Sequence, residues 1–186
     1  SDCLVGSEMC IRDRNSSQIN KIGKEIEKKI KGKTLFDEFS RGRYSTDASL
    51  YQIKPVGVVL PKDQNDVLSL MEYSQKNSLP LLARGGGSSQ CGQTVGDCIV
   101  LDYSRHQNKI LELNIEEKYV WVEPGIVLDH LNAYLKPHGL WYPVDVSTSS
   151  RATIGGMTAN NSCGSRSLYY GNTVSYTHLR AHETIA

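Results

Sequence analysis

Three consecutive glycines occur in the stretch 83–94, which reads ARGGGSSQCGQT. Glycine has no Cβ, so the backbone of such a run can adopt positive φ and turn several N–H groups towards one anion. Ser88 and Ser89 add hydroxyl donors directly after the glycines. The pattern favours binding of a phosphate or diphosphate, and a tight turn without a ligand is the alternative.

A second stretch with similar chemistry spans 143–157 and reads PVDVSTSSRATIGGM. It again combines glycines with short polar donors, and the pattern continues through Asn160, Asn161, Gly164 and Arg166. Two such stretches indicate one extended ligand that carries phosphate, with coincidental turns as the alternative. Arg151 and Arg166 are candidates to pair with that phosphate, or equally with carboxylates or solvent.

The residues around the first glycines disfavour two common phosphate-binding motifs. A P-loop requires Lys and then Ser or Thr after its last glycine, and no such pair follows Gly87. The dinucleotide-binding turn of Rossmann domains requires GxGxxG at the start of a helix, and neither that spacing nor a helical pattern is present.

Alternating strand and helix patterns place the first glycines at the end of a strand. Residues 56–60 form an apolar, β-branched run, Asp63 is a helix cap, and a second apolar segment, 79–83, leads directly into the glycines. Between the two apolar runs, residues recur at helical spacing; they are Val67, Leu70, Met71 and Ser74. We predict a βαβ unit, in which ligands bind at the strand ends.

Further elements are predicted on both sides of this unit. We expect strands at 98–101, 109–113 and 118–123, and a helix at 126–136 whose buried face is Leu128, Leu131 and Leu135 and whose end is marked by Pro137 and Gly139. Near the start, an amphipathic helix ended by Gly32 is predicted from Ile19, Ile22, Ile26 and Ile30. The polar stretch 34–55 is predicted to be an extended lead-in.

Composition argues against several partners. The net charge is +1, with 21 basic and 20 acidic residues, so the basic surface that nucleic acid requires is not expected. The chain has no apolar run long enough to span a bilayer and no signal-peptide pattern, so we expect a cytoplasmic protein that meets membranes only through partners. Five cysteines without paired spacing argue against a disulfide framework and a metal site.

The two ends differ in pattern from the rest. Residues 1–14, SDCLVGSEMCIRDR, and residues 176–186, YTHLRAHETIA, resemble translated sequencing-adapter strings. We expect both to be non-native and exclude them from the fold. No function is then expected for Cys3, Cys10, His178 and His182.

Longer segments carry a resemblance to a known family. RGGGSSQCGQTVG and SSRATIGGMTANNSCGSRSLYYGNTV, joined by SRHQNKILELN and WVEPGIVLDHLNAYLKPHGL, resemble the FAD-binding domain of the vanillyl-alcohol oxidase/PCMH superfamily. The resemblance covers 40–175 and is closest to the glycolate oxidase and D-lactate dehydrogenase branch, in particular to bacterial FAD- and iron–sulfur-binding oxidoreductases. It implies an α+β fold of two subdomains with FAD in the cleft between them. The domain would span 51–175 and be incomplete at its C-terminus, after a helix and lead-in at 15–50.

The resemblance also implies which residues hold the cofactor. Arg84 to Ser89 would form the pyrophosphate loop, and Asp145 with Ser149 to Gly156 would line the other side of the diphosphate and flavin. The full set is Arg84, Gly85, Gly86, Gly87, Ser88, Ser89, Gly92, Asp145, Ser149, Ile154, Gly155, Gly156, Asn160, Asn161 and Gly164. Backbone amides should dominate these contacts.

Other reactive side chains receive no cofactor role. Covalent flavin attachment in the superfamily uses a His near the glycine loop, where this chain has Ser88 or Ser89, so we expect non-covalent FAD. Packing or structural roles are expected for Cys91, Cys163, His106, His130 and His138. Tyr169 and Tyr170 are either core residues or neighbours of the ring system.

The implied reaction is oxidation of a 2-hydroxy acid of the D-lactate, glycolate or 2-hydroxyglutarate class by hydride transfer to FAD. Catalytic residues stay unidentified, because they are expected in a substrate domain beyond Ser175. The electron acceptor would be an iron–sulfur module, a quinone or a cytochrome outside this chain, with an iron–sulfur cluster expected in the missing C-terminal region.

We expect the chain alone to bind FAD weakly and not to turn over. A MurB-like flavin reductase and a non-enzymatic nucleotide- or phosphate-binding module are the alternatives.

Overall fold

The computed structural model describes residues 14–176. The predicted non-native ends lie outside this range except for Arg14 and Tyr176, so their cysteines and histidines are not described. The described residues form two compact units. Unit 1 runs to Leu82 and includes Cys91–Leu101; unit 2 comprises Ala83–Gln90 and the chain from Asp102 onward.

Unit 1 contains a four-stranded sheet and three helices. The elements are α1 (Ser16–Glu27), β1 (Lys33–Leu35), α2 (Glu38–Arg43), β2 (Gly57–Leu60), α3 (Gln64–Asn77), β3 (Leu81–Arg84) and β4 (Ile99–Asp102). The last residues of β3 and β4 continue into unit 2. None of the helices within 14–176 has the length and apolarity that a membrane span needs.

The sheet has the strand order β1-β2-β4-β3 and is parallel except at one edge. Val58 of β2 pairs with Val100 of β4 in parallel register, and both side chains are fully buried. β3 also runs parallel to β4, because the amides of Ile99 and Tyr103 donate in turn to the carbonyls of Pro80 and Arg84. The predicted βαβ unit is therefore confirmed, and it ends at the first glycines.

Helix α1 is shorter than the isoleucine spacing predicts. It ends at Glu27, so Ile30 lies outside it, and the prediction that Gly32 ends the helix is wrong. The reason is a distant side chain: Asp66, on α3, accepts hydrogen bonds from the amides of Lys31 (2.8 Å) and Gly32 (2.9 Å). These amides cannot also continue the helix.

The lead-in is more regular than the extended chain predicted for 34–55. It contributes β1, which pairs antiparallel with β2, and α2, which Asp37 caps by accepting from the Ser40 amide at 2.9 Å. A three-residue strand carries too little periodicity to be recognised in the sequence, and its formation depends on the neighbouring edge of β2.

Helix α3 begins where Asp63 predicts, since that side chain accepts from the Asp66 amide. Its buried face differs from the predicted row, however. Leu70 is buried together with Asp66 and Tyr73, whereas Met71 is 55% exposed.

Within the described residues, unit 2 contains a two-stranded sheet and three short α-helices around a second core. Its elements are β5 (Ile110–Asn114), β6 (Tyr119–Val122), α4 (Leu128–Leu135), a 3-10 turn (Lys136–His138), α5 (Ile154–Ala159), α6 (Ser167–Tyr170) and a second 3-10 turn (Thr173–Tyr176). β5 and β6 pair antiparallel. The predicted burial of Leu128, Leu131 and Leu135 is confirmed, and Gly139 ends the segment at φ 70°. The α+β fold class is confirmed.

Asp66 offers a stability test, because it is 2% exposed and also accepts from the Lys62 amide at 2.8 Å. Asp66→Ala should lower the free energy of unfolding by about 3 kcal/mol or more, since it leaves three part-buried amides without an acceptor. Urea denaturation measures the change. Glu72→Ala, an exposed position on the same helix, should stay within about 0.5 kcal/mol of the parent; equal losses in the two variants would contradict this role for Asp66.

Candidate functional site

After β3 the chain passes through four consecutive residues whose backbone amides find no acceptor in the described part of the chain. Within residues 14–176, the N–H groups of Gly85, Gly86, Gly87 and Ser88 donate no hydrogen bond. Backbone amides without a protein acceptor are open to solvent or to a ligand, and consecutive ones at a turn can form an anion-binding concavity. We call Gly85–Ser88 the amide cradle.

The glycines of the cradle are required by close packing against the second glycine stretch. A Cβ on Gly85 would lie 2.0 Å from the hydroxyl oxygen of Thr153, and one on Gly86 would lie 2.2 Å from the carbonyl oxygen of Arg151. Both distances are well below van der Waals contact. The two stretches predicted to act on one ligand are therefore in contact within unit 2.

Gly87 is required for a different reason. Its φ is 64°, in the left-handed region that favours glycine. A Cβ there would also lie 2.6 Å from Nη2 of Arg84, so the guanidinium is next to the cradle. The cradle thus combines unpaired amides with a nearby positive charge.

The second stretch uses its own amides to hold its fold. At the start of α5, the amide of Ile154 donates to the Ile126 carbonyl at 2.9 Å, and that of Gly155 donates to the Pro124 carbonyl at 2.8 Å. The Gly156 amide donates to the Thr153 hydroxyl at 3.3 Å. These three residues cannot present free N–H groups to a ligand in this conformation, unlike the cradle.

Ser149 belongs to a turn that is tied to α4. Its amide donates to the Val146 carbonyl at 3.1 Å, and its carbonyl accepts from the Asp129 amide at 3.2 Å. The backbone of Ser149 is thereby fixed, and its half-buried hydroxyl remains as the group that could contact a ligand.

Asp145 organises the turn that contains Gly164. Its carboxylate accepts from the Ser165 hydroxyl at 2.6 Å and from the Arg166 amide at 3.0 Å. These hydrogen bonds hold the pKa of Asp145 below its usual value. A Cβ on Gly164 would lie 1.3 Å from the Asp145 carbonyl oxygen, so the turn packs directly on that residue.

The remaining predicted residues lie in several places. Asn161 has φ 46° and accepts from the Val174 amide at 3.2 Å, which joins it to the second 3-10 turn. Asn160 is exposed and donates to the Ser162 hydroxyl. Ser89 belongs to the segment Ala83–Gln90 of unit 2, whereas Gly92 belongs to unit 1 and lies against the ring of Tyr51.

Thr153 falls within the predicted range Ser149 to Gly156 but was not singled out as a site residue. It is 3% exposed, caps α5 and contacts the position where a Gly85 side chain would lie. The signal was available, because a threonine directly before an apolar and glycine-containing turn is a typical helix cap.

Reactive side chains elsewhere are mostly at the surface. Cys91 and Cys163 are exposed rather than packed, contrary to the prediction, because each lies on an irregular segment outside the two cores. Exposed side chains are also found for His106, His130 and His138.

Arg166 lies 5.1 Å from the ring centroid of Trp141 and near Asp145, so its charge already has protein partners.

Several known proteins are similar in sequence to this chain. The D-2-hydroxyglutarate dehydrogenase of Pseudomonas putida is 44% identical over 147 residues, which is 77% of this chain and 15% of that protein. The glycolate oxidase subunit GlcD of Bacillus subtilis is 35% identical over 165 residues, 85% of this chain and 34% of that protein. This chain therefore spans only a small part of the relatives it matches.

The fold and the family agree with the resemblance seen in the sequence. A solved alkyldihydroxyacetonephosphate synthase superposes with a TM-score of 0.73 at 23% identity, over 82% of this chain and 34% of that one. The family model described as "FAD binding domain" matches residues 55–179, which include the cradle and the second glycine stretch. With two thirds of its length matched, the chain belongs to the FAD binding domain family.

Proposed function

We propose that the amide cradle binds the diphosphate of non-covalent FAD, and that the chain is the flavin-binding part of an enzyme that oxidises a 2-hydroxy acid. The observation that carries the proposal is the set of four consecutive unpaired amides at Gly85–Ser88. A diphosphate bears negative charge and several acceptor oxygens, so it matches convergent N–H donors. The Arg84 guanidinium beside Gly87 adds a charge of the opposite sign.

The second glycine stretch packs against this cradle. Because Gly85 and Gly86 lie directly against Thr153 and Arg151, any side chain there would push the cradle away from the second stretch. We infer that the remaining predicted residues line the rest of the ligand mainly through side-chain hydroxyls and carbonyls. In unit 2 they are Ser89, Asp145, Ser149, Ile154, Gly155, Gly156, Asn160, Asn161 and Gly164.

Non-covalent attachment follows from the residues of the loop. Ser88 and Ser89 stand where a histidine would be needed for the covalent link, and a serine hydroxyl is not expected to form it. The bound cofactor should therefore leave when the protein is denatured.

The proposed reaction removes a hydride from C2 of the hydroxy acid and a proton from its hydroxyl, which leaves a 2-oxo acid. FAD, when bound, supplies the acceptor of the two electrons. The chain's own part is to fix the position of the cofactor, because hydride transfer requires close and aligned reactants. The groups that bind the substrate carboxylate and take the proton are assigned to no residue of 14–176.

The substrate class rests on the relatives. Those 35–44% identical to this chain are named D-2-hydroxyglutarate dehydrogenase, glycolate oxidase subunit and D-lactate dehydrogenase. All three names specify oxidation of a 2-hydroxy acid. We include in the proposal that electrons then pass to an iron–sulfur cluster, a quinone or a cytochrome outside this chain.

FAD binding can be tested by titrating the chain into FAD and following flavin fluorescence. Gly86→Ala should raise the Kd at least tenfold, because its Cβ would meet the backbone carbonyl of Arg151 and displace the cradle. Riboflavin lacks the diphosphate, so it should bind the parent more weakly than FAD, and Gly86→Ala should reduce that difference.

A matched glycine provides the control. Gly42→Ala introduces a Cβ with no atom within 4 Å, so its Kd for FAD should remain within about twofold of the parent value. A parent chain that ignores FAD, or equal affinity for FAD and riboflavin, would refute the cradle. Flavin that stays with acid-precipitated protein would refute non-covalent attachment.

The substrate class can be tested with the intact protein that contains this chain. Anaerobic addition of D-2-hydroxyglutarate, D-lactate or glycolate should bleach the visible absorbance of bound flavin with at least one of the three acids. 2-Oxoglutarate, which has no C2 hydride, is the control and should leave the spectrum unchanged. Flavin that is reduced by NADPH but by none of the acids would instead favour the MurB-like alternative.

A further inference from the structure

The segment before β2 closes into a loop of its own, which we call the lead-in loop (45–53). The Ile53 amide donates to the Ser45 carbonyl at 2.9 Å, and Thr46 pairs with Gln52 in an isolated bridge. Ser45 is 2% exposed and its hydroxyl donates to the Gly42 carbonyl at 2.7 Å, which fixes the loop to the end of α2. The lead-in loop is therefore anchored to unit 1.

Inside this loop, Asp47 faces the chain that follows the cradle. One carboxylate oxygen accepts from the Ser49 amide at 2.9 Å, which is a local turn. The other accepts from the Thr94 hydroxyl at 3.0 Å and from the Thr94 amide at 3.4 Å. A single carboxylate thus joins segments 47 positions apart.

Tyr51 makes the second contact. A Cβ on Gly92 would lie 2.5 Å from Cδ2 of Tyr51, so the aromatic ring lies directly on the Gly92 backbone. Gly92 has φ 70°, a conformation that other residues rarely adopt. The ring and the carboxylate together fix residues 92–94.

The position of these contacts matters because the cradle amides make no hydrogen bonds of their own within the described residues. The chain enters the cradle from β3, where the Arg84 carbonyl accepts from the Tyr103 amide at 3.1 Å. It leaves through Gly92 and Thr94. The steric contacts of Gly85 and Gly86 with Thr153 and Arg151 restrict the cradle itself, and the contacts at Gly92 and Thr94 restrict the segment that follows it.

The loop that contains the cradle and continues to Thr94 (85–94) is called the cradle loop. We propose that Asp47 and Tyr51 are positioning residues that hold the C-terminal end of the cradle loop and so preorganise it for the diphosphate. The part about the diphosphate rests on the proposed function. A loop held in its binding conformation loses less entropy when the ligand binds, which raises affinity without any direct contact.

The charge state of Asp47 is suited to this role. Burial opposes its ionisation, but the hydrogen bonds from Ser49 and Thr94 outweigh burial and keep its pKa below the usual value. The carboxylate is thus ionised at neutral pH, and hydrogen bonds to an ionised acceptor are stronger than those between neutral groups.

Hydrogen–deuterium exchange of the chain without FAD tests the holding role. Asp47→Ala should speed exchange of the Thr94 amide and of peptides covering 88–95 about tenfold, while the amides of β2 stay protected. Asp37→Ala is the matched control, because Asp37 caps α2 in the same lead-in and is not bonded to the cradle loop. It should leave exchange at 88–95 unchanged.

FAD affinity tests the preorganisation. Asp47→Ala and Thr94→Val should each raise the Kd about tenfold, and the double variant should show no further loss because both remove the same link. Tyr51→Ala should weaken binding in the same way, whereas Tyr51→Phe keeps the ring and should bind within twofold of the parent.

Three results would overturn the proposal. They are unchanged exchange at 88–95 in Asp47→Ala, equal effects in Asp37→Ala, and a double variant whose losses multiply. A parent chain that binds no FAD would refute the proposed function instead, and the exchange comparison would still decide whether Asp47 holds the loop.

Discussion

The close approach of Gly85 and Gly86 to Arg151 and Thr153 is the contact on which the candidate site depends. It is a steric requirement, because any Cβ at either glycine would overlap a carbonyl or a hydroxyl oxygen. Of the three consecutive glycines, only Gly87 is there for its positive φ. The contact joins two stretches that are far apart in the sequence and leaves the cradle amides facing away from protein acceptors.

The two glycine stretches use their backbone amides in opposite ways. The cradle keeps its N–H groups unpaired by protein, so they can donate to a bound anion. The second stretch pairs its N–H groups with the carbonyls of Pro124 and Ile126 and with the Thr153 hydroxyl. One stretch can therefore donate backbone N–H groups to a ligand, whereas the start of α5 in the other can contact a ligand only through other groups, although their compositions are alike.

Three aspartates hold irregular segments in place by accepting hydrogen bonds. Asp66 accepts hydrogen bonds from the Lys31 amide after α1 and from the Lys62 amide before α3. Asp47 joins the lead-in loop to Thr94, and Asp145 organises the turn at Gly164. The pKa values of Asp47 and Asp145 lie below the ordinary 3.8. Their contribution to stability is complete above that pH and is lost as the pH falls through the lowered values.

The sequence by itself determined the elements whose patterns are local. The strands that became β2 to β6 and the buried face of α4 follow from apolar runs and helical spacing. The two glycine stretches also stand out by their composition, and the structure brings them into contact. Tertiary structure decided the rest. α1 ends early because Asp66 captures two amides, and β1 exists because β2 offers an edge. The amides of Ile154 and Gly155 are paired because the carbonyls of Ile126 and Pro124 lie next to them. Packing between distant segments brings these partners together, and such packing leaves no periodic signal in the sequence.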